Sequence, residues 1–324
     1  MPDSVSAAEW SVSHSTRAVG CVLGQTADRG RPANVGVIGA AGDTRLPDIT
    51  PIRTLLSIEG ETYVTIHAVI FDLDETLTLH EEAHTQGYLA AAKRAARKHA
   101  INMEQFTSSA PQTVSALGRN APVSVYLSSL GIGGRDVLAG HPTDDHPDIR
   151  NVAAWAPGFR QRVFAALLQE QGVHNLDLAT ELVKAYRQAF WDTVRAYPEA
   201  RPVVEKLRGR YRVAVLTNGL GVTQHEKLRT AGLDDLFDVV ASSGDVGIGK
   251  PDRRLFDAVL DKVGMSPDEA IMVGDTLHRD VLGARNTGMR SVWINRDGRS
   301  ARHGPASPDY EIRSLSELPG LIEL

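Results

Sequence analysis

A run of seven mostly apolar, partly β-branched residues, Thr65-Ile66-His67-Ala68-Val69-Ile70-Phe71, ends abruptly at two acids, Asp72 and Asp74. A strand buried on both faces reads this way, with its polar residues gathered at the carboxyl end. Four later segments have the same character: Arg212 to Leu216, Val239 to Ser242, Ile271 to Val273 and Ser291 to Ile294. Helical patterns separate them, among them Thr223 to Ala231 and Asp252 to Val263. Strands that alternate with helices predict an α/β fold with a parallel sheet. Ligands of such sheets collect beyond the carboxyl ends of the strands.

The alternation is interrupted once. Between about His80 and Tyr197 the signals are helical: Glu81 to His99, Gly158 to Gln171 and Leu176 to Tyr197. The stretch from Ser108 to Ala156 is rich in Gly, Pro and Ser and yields no assignment. Residues 80–197 are therefore expected to form an inserted helical cap domain. The catalytic core is expected over residues 65–79 and 198–324.

Residues 1–64 differ in composition, being rich in Ser, Thr, Gly and Pro, and are expected to be a flexible N-terminal extension. Gly36-Val37-Ile38-Gly39-Ala40-Ala41-Gly42 lacks the dinucleotide-binding spacing and reads as a glycine turn. Val64 directly precedes the first strand, and a valine codon can start translation, so a natural start near Val64 is expected. With one cysteine, Cys21, no internal disulfide can form. The net charge of -5 gives no general attraction to nucleic acid or membranes. No apolar run reaches the roughly 20 residues of a membrane span. A cytoplasmic monomer or homodimer is expected.

Each strand end carries groups that suit one chemistry. Asp72 can attack phosphorus as a nucleophile, and Asp74 can serve as acid and then base. Two acids beside a phosphate dianion call for a cation, and Mg2+ suits carboxylate and phosphate oxygens. Thr217 and Asn218, before Gly219, can hold phosphoryl oxygens by hydroxyl and backbone N–H. Lys250, between Gly249 and Pro251, can neutralise charge. Asp275 and Asp280, in Gly274-Asp275-Thr276-Leu277-His278-Arg279-Asp280, read as metal-site carboxylates. Each segment alone also reads as an ordinary helix cap or turn. Their succession, each at a strand end or its following loop, is what carries the functional reading.

Together the four segments, from about Ile66 to Arg296, resemble the motifs of the haloacid dehalogenase-like (HAD) hydrolase superfamily. The resemblance implies a Rossmann-like core with a helical cap of type one. It implies Asp72 as nucleophile, Asp74 as general acid/base and, through its backbone carbonyl, a magnesium ligand. Thr217 matches the phosphate-binding hydroxyl, with Asn218 beside it, and Lys250 the motif lysine. Asp275 matches the metal-binding acid, with Asp280 supporting it.

Asp74 favours phosphate chemistry over dehalogenation, which does not need that second acid. Thr217-Asn218-Gly219 followed by Gln224, Lys227 and Leu228 resembles the nucleotidase and N-acylneuraminate-phosphate phosphatase branch, as do Phe237-Asp238 and Gly249-Lys250-Pro251. The expected activity is Mg-dependent hydrolysis of a small phosphate monoester, a nucleotide or sugar phosphate, through an aspartyl-phosphate. A sugar phosphomutase or a non-catalytic regulatory protein on the same fold are the alternatives. In the cap, Arg135, His141, His146 and Arg160 can meet a substrate, although such residues are usually solvated or structural. His80 and His84 have a metal-compatible i, i+4 spacing, but sit where a mobile flap is expected and are read as solvated.

Overall fold

Six short strands form one parallel sheet among the described residues, which are 65–143, 146–299 and 306–322 of a computed structural model. Cys21, the glycine stretch Gly36–Gly42, Val64 and the expected extension over residues 1–64 lie outside the described residues. Strand β1, Ala68–Phe71, is central. The chain then leaves the sheet through six helices: α1 (His80–Ala96), α2 (Met103–Arg119), α3 (Ser124–Ser129), α4 (Gly134–Ala139), α5 (Pro147–Glu170) and α6 (Leu176–Thr193). It returns through α7 (Ala200–Arg208), β2 (Arg212–Thr217), α8 (Gly221–Thr230), β3 (Val239–Ser242), α9 (Ser243–Val246) and α10 (Arg253–Val263). The remainder is β4 (Ala270–Gly274), a π-helical turn over Leu277–Val281, α11 (Leu282–Thr287), β5 (Arg290–Ile294), β6 (Tyr310–Ile312) and α12 (Leu318–Ile322).

Strand order is β3-β2-β1-β4-β5-β6, the Rossmann order that reverses beside β1. Alternate residues of the central strands feed two separate cores, as the two-residue period of a strand requires. Val69, Phe71, Val213, Val215, Ile271 and Val273 pack with Val204 and Leu207 of α7 and with Leu318 of α12. Ala68, Ile70, Ala214, Leu216, Ala270 and Met272 pack with Phe256 and Val259 of α10. Burial on both faces explains why these strands read as continuous apolar runs. The sheet has a sixth strand that the sequence pattern does not reveal. At three residues, β6 is too short to show a period, and its place comes from pairing with β5.

The inserted helices own a third core, which includes Ala91, Phe106, Val114, Leu138, Phe159, Leu167 and Tyr186. The two chain crossings into it run antiparallel. Leu79 N–H donates to the Arg195 carbonyl and Tyr197 N–H to the Leu77 carbonyl. The segment left unassigned from sequence is largely helical. α2 continues through Pro111, and α5 starts at Pro147 and runs through Pro157, eleven residues before the helix start expected from periodicity at Gly158 would allow. Proline in a helix interior removes a hydrogen bond and disfavours the helix. Here Phe106, Val114, Val152 and Phe159 on either side of those prolines are fully buried, and packing prevails. No helix among the described residues is long and apolar enough to cross a membrane.

Candidate active site

Parallel register brings the predicted residues to one edge. Phe71 is level with Val215 of β2 and Val273 of β4, so Asp72, Thr217 and Asp275 leave the sheet side by side. Asp72 N–H still pairs with the Val273 carbonyl at 2.9 Å, which fixes the backbone of the candidate nucleophile. A cavity of about 280 Å³ opens there, and its lining includes Asp72, Asp74, Thr217, Asn218, Lys250 and Asp275.

Lys250 is the hub. Its Nζ lies 2.6 Å from Asp72 Oδ1 and 2.7 Å from Asp280 Oδ1, and donates to the Leu216 carbonyl at 2.8 Å. Asp280 is not the solvated helix residue that its ordinary reading supposes; it is 1% exposed. Its second oxygen accepts from Thr276 N–H at 3.0 Å, so both oxygens are committed. The π-helical turn folds it over the end of β4, where a side chain at Gly274 would collide with its carboxylate. Asn218 holds Lys250 from behind: its Oδ1 accepts from Lys250 N–H at 2.7 Å and its Nδ2 donates to the Lys250 carbonyl at 3.2 Å. Its side chain therefore positions the lysine, and its place beside Thr217 leaves phosphate contact to the backbone and the hydroxyl. Thr217 Oγ1 accepts from Gln224 Nε2 at 2.6 Å, which leaves the hydroxyl proton free to donate.

Asp74 is gripped by groups the sequence did not assign to it. Lys227 Nζ, 3% exposed, donates to Oδ2 at 2.7 Å. His80 Nδ1 lies 3.4 Å from Oδ1, and the Thr78 hydroxyl approaches the same oxygen at 3.4 Å. Burial alone raises a carboxyl, but the His80 ring, the Lys227 ammonium and hydrogen bonds from Lys227 and Gln224 hold Asp74 below the ordinary carboxylate range. Thr223, Gln224 and Lys227 are buried polar residues of α8 on the side that carries Leu228. That mismatch between polarity and an apolar face was the available signal. His80 and His84 correct an expectation: His84 is buried in the cap wall and His80 is half-buried at its edge, with Nε2 atoms 3.0 Å apart, so neither is a solvated flap residue. A flap residue can be buried because α1 packs along α6, placing these rings against Phe190.

The other cap residues separate. Arg135 lines the cavity and its Nη2 donates to Glu81 Oε2 at 2.7 Å. Arg160 is structural, donating to the carbonyls of Val137, Leu138 and Gly140. His141 faces Glu226 of α8 at 3.3 Å. His146 caps α5, accepting from Asp148 N–H.

Carboxylate oxygens of Asp72, Asp275 and Asp280 lie within 4.8 Å of one another. Burial pushes Asp72 up to about 7 and Asp275 up to about 6, the other acids adding to the effect and Lys250 opposing it. Three ionised acids against the Lys250 ammonium and the exposed Arg299 guanidinium, 3.7 Å from Asp275, still leave one negative charge uncompensated. An all-oxygen set of this kind fits a hard divalent cation such as Mg2+.

Comparison with known proteins agrees with this construction. A family model described as haloacid dehalogenase-like hydrolase matches residues 66–288. The phosphoserine phosphatase of Thermus thermophilus is 38% identical over 255 residues, covering 77% of this chain and 96% of that protein. Mouse N-acylneuraminate-9-phosphatase is 31% identical over 47% of this chain and 62% of its own length. Among solved structures, the HAD-hydrolase YfnB of Bacillus subtilis, crystallised with magnesium, superposes with a TM-score of 0.58 at 21% identity, over 80% of this chain and 99% of its own. Register, strand order and family match converge: the chain belongs to the haloacid dehalogenase-like hydrolases.

Proposed function

We propose that this phosphoric monoester hydrolase removes phosphate from a small, highly polar metabolite through an aspartyl-phosphate on Asp72, with Mg2+ as cofactor. The observation that supports it most is the second carboxylate: Asp74 lines the same cavity as Asp72 and is held in place by Lys227. An Asp72 oxygen attacks phosphorus while Asp74 delivers a proton to the departing alcohol. Asp74 then takes a proton from the water that cleaves the acyl-phosphate. In the free protein Asp74 is ionised; a bound phosphate dianion raises its proton affinity by like-charge repulsion. Thr217 and Lys250 face the equatorial oxygens, where stabilising charge is the main work of phosphoryl transfer. Asp72 and Asp275, with the Asp74 carbonyl that the family resemblance implies, would hold magnesium, and Asp280, engaged by Lys250 and Thr276 N–H, would support them. When bound, the ion offsets phosphoryl charge and orients the phosphate.

The cavity's make-up narrows the substrate. Its lining includes Glu75, Glu81, Arg135, Asp136 and Arg279 but no Phe, Tyr, Trp or aliphatic side chain. For a nucleobase the lining offers no large aromatic surface, only the His80 ring and the Arg135 and Arg279 guanidinium planes. Arg135 can meet a carboxylate, and Glu81 or Asp136 an ammonium. A phosphorylated amino acid or a small sugar phosphate fits this better than a nucleotide, and the Thermus relative is named for phosphoserine. Phosphate release from O-phosphoserine, sugar phosphates and nucleotides, with and without magnesium, tests the reading. Nucleotides as the preferred substrates would reject the substrate class. Full activity of Asp72→Asn would reject the nucleophile.

A further inference from the structure

A continuous line of polar contacts runs from Asp74 into the interior of the cap. His80 Nδ1 faces Asp74 Oδ1 at 3.4 Å, and His80 Nε2 meets His84 Nε2 at 3.0 Å. His84 Nδ1 is hydrogen-bonded to the Tyr186 hydroxyl of α6. His84 and Tyr186 are essentially inaccessible to solvent. They are buried polar groups that neither substrate nor metal reaches, and nothing in the fold of the cap requires an apolar core to admit them.

The direction of every proton follows from one end. A carboxylate accepts only, so His80 must present Nδ1–H to it. Both rings pack against Phe190, and His84 also against Tyr186, apolar surroundings that favour the neutral form of an imidazole. A neutral ring has one donor. His80 Nε2 is therefore an acceptor, His84 supplies Nε2–H, and the Tyr186 hydroxyl donates to His84 Nδ1. The tautomers of both rings thus follow from the Asp74 carboxylate, and the Tyr186 hydroxyl, able to donate or accept, closes the line as donor.

The sequence builds this line deliberately along one face of α1. His80, His84 and Gly87 stand at i, i+4 and i+7, the spacing that shares a helix face. A side chain at Gly87 would come within 2.7 Å of the Tyr186 ring, so glycine is what lets that ring lie close to α1. Phe190, one turn beyond Tyr186, packs edge-on against His80 with ring centroids 5.8 Å apart.

We propose that His80, oriented by His84 and Tyr186, is a positioning residue for Asp74, through which the cap sets the geometry of proton transfer in the core. The proposal rests on Asp74 being the acid/base of the phosphatase reaction. In the first step an Asp72 oxygen bonds to phosphorus, the ester P–O bond breaks with its electron pair on the leaving oxygen, and the Asp74 proton moves to that oxygen. Lys227 holds Oδ2, and His80, with the Thr78 hydroxyl also at 3.4 Å, sets the direction of Oδ1.

Leaving-group dependence separates positioning from mere stability. An activated aryl phosphate, such as 2,4-dinitrophenyl phosphate, expels a phenolate that needs no proton, whereas an alkyl phosphate expels an alkoxide that does. Full general-acid catalysis contributes on the order of 10²–10⁴-fold, so losing its alignment should cost about 30-fold in the sensitive substrate. The readout is kcat/KM, which reports steps through aspartyl-phosphate formation, for dinitrophenyl phosphate and for the best alkyl phosphate of the substrate panel. His80→Ala should lower the alkyl-to-aryl ratio of kcat/KM by about 30-fold, and Tyr186→Phe, which keeps the buried ring, should lower it by about fivefold. His80→Asn, whose side-chain amide can place a donor near the Nδ1 position, should recover most of the ratio. Equal losses on both esters, or ratios unchanged from the parent, would overturn the relay while leaving the phosphatase reading intact. A parent enzyme with no magnesium-dependent turnover of either ester would overturn the phosphatase reading and the relay with it.

Discussion

Lys227 Nζ ends 2.7 Å from Asp74 Oδ2, joining α8 to the loop after β1 across 153 positions of sequence. The pair keeps Asp74 ionised, the form that the proposed mechanism requires for taking a proton from water. Lys227→Met removes the ammonium while Asp74 stays buried, so its carboxyl rises and is protonated for more of the time. The acid step tolerates this and the base step does not. The expected outcome is a fall in kcat of about 10- to 100-fold, a smaller fall in kcat/KM, and accumulation of phosphorylated enzyme. Steady-state kinetics with acid quench of labelled substrate measures all three. Equal falls in kcat and kcat/KM would show that the lysine serves substrate capture instead.

Lys250 lies between Asp72 and Asp280, and neither acid has another cation within hydrogen-bond distance among the described residues. Lys250→Met leaves both charges buried and uncompensated. Removing one partner of a buried ion pair costs about 3–5 kcal/mol, and that loss is expected near pH 8. Toward pH 5 the acids take up protons and the cost shrinks. Denaturant titrations at the two pH values test this. A loss independent of pH would mean that the lysine's packing, not its charge, matters. Turnover should fall at least about 100-fold, as when a donor to developing negative charge is lost.

The contrast between Lys250 and Lys227 shows how much of the site could be read from sequence. Asp72, Thr217, Lys250 and Asp275 follow strands whose apolar runs announce them, and parallel topology sends every such end to one edge. The partners of these groups were hidden because they are long-range. Asn218 reads as a phosphate-holding neighbour of Thr217, yet its side chain grips the backbone of Lys250. His80 and His84 read as a solvated pair because α6, which buries them, begins some 90 residues later. α2 and α5 were obscured by Pro111 and Pro157, whose local preference is overruled by buried neighbours. Local pattern reveals where the chain changes direction; what a side chain meets there is decided by packing.

In the proposed metal site, magnesium and protons would compete for the acid cluster. Folding raises Asp72 to about 7 and Asp275 to about 6 from the 3.8 of a free aspartate. Between about pH 4 and pH 7 the folded protein thus keeps protons that the unfolded chain has released. The stability of the metal-free protein therefore falls as pH rises through that window. In the proposed site magnesium binds the ionised acids, so its stabilising effect should grow over the same range and level off above pH 7. At about 100 times Kd, binding contributes about 2.7 kcal/mol, equivalent to several degrees in Tm. Thermal melts at pH 5 and pH 8, with and without magnesium chloride, give the comparison, and Asp275→Asn should abolish the shift. A shift of equal size at both pH values would rule out these acids as its source.

Gly131 is the point at which the cap rests on the Lys250 clamp. It has a φ of +65°, a conformation that glycine adopts without the penalty other residues incur. A Cβ built on it would lie 2.1 Å from Asn218 Nδ2, the group that donates to the Lys250 carbonyl. Nearby, Gly249 N–H donates to the Ser129 carbonyl at 2.8 Å, so the end of α3 and the lysine loop are joined through backbone. Gly131→Ala must either shift the cap turn or displace the Asn218 amide. Left-handed strain in a non-glycine residue costs about 1–3 kcal/mol, which melting should register. The informative quantity is activity at a temperature where the variant is fully folded. Displacement of Asn218 loosens Lys250 and should lower kcat about tenfold, by analogy with the loss of a positioned charge-stabilising donor. Repair by a second change, Asn218→Ala, is not expected, because it relieves the collision but discards the clamp. A folded Gly131→Ala enzyme with parental kcat would show that the cap turn yields and the clamp does not.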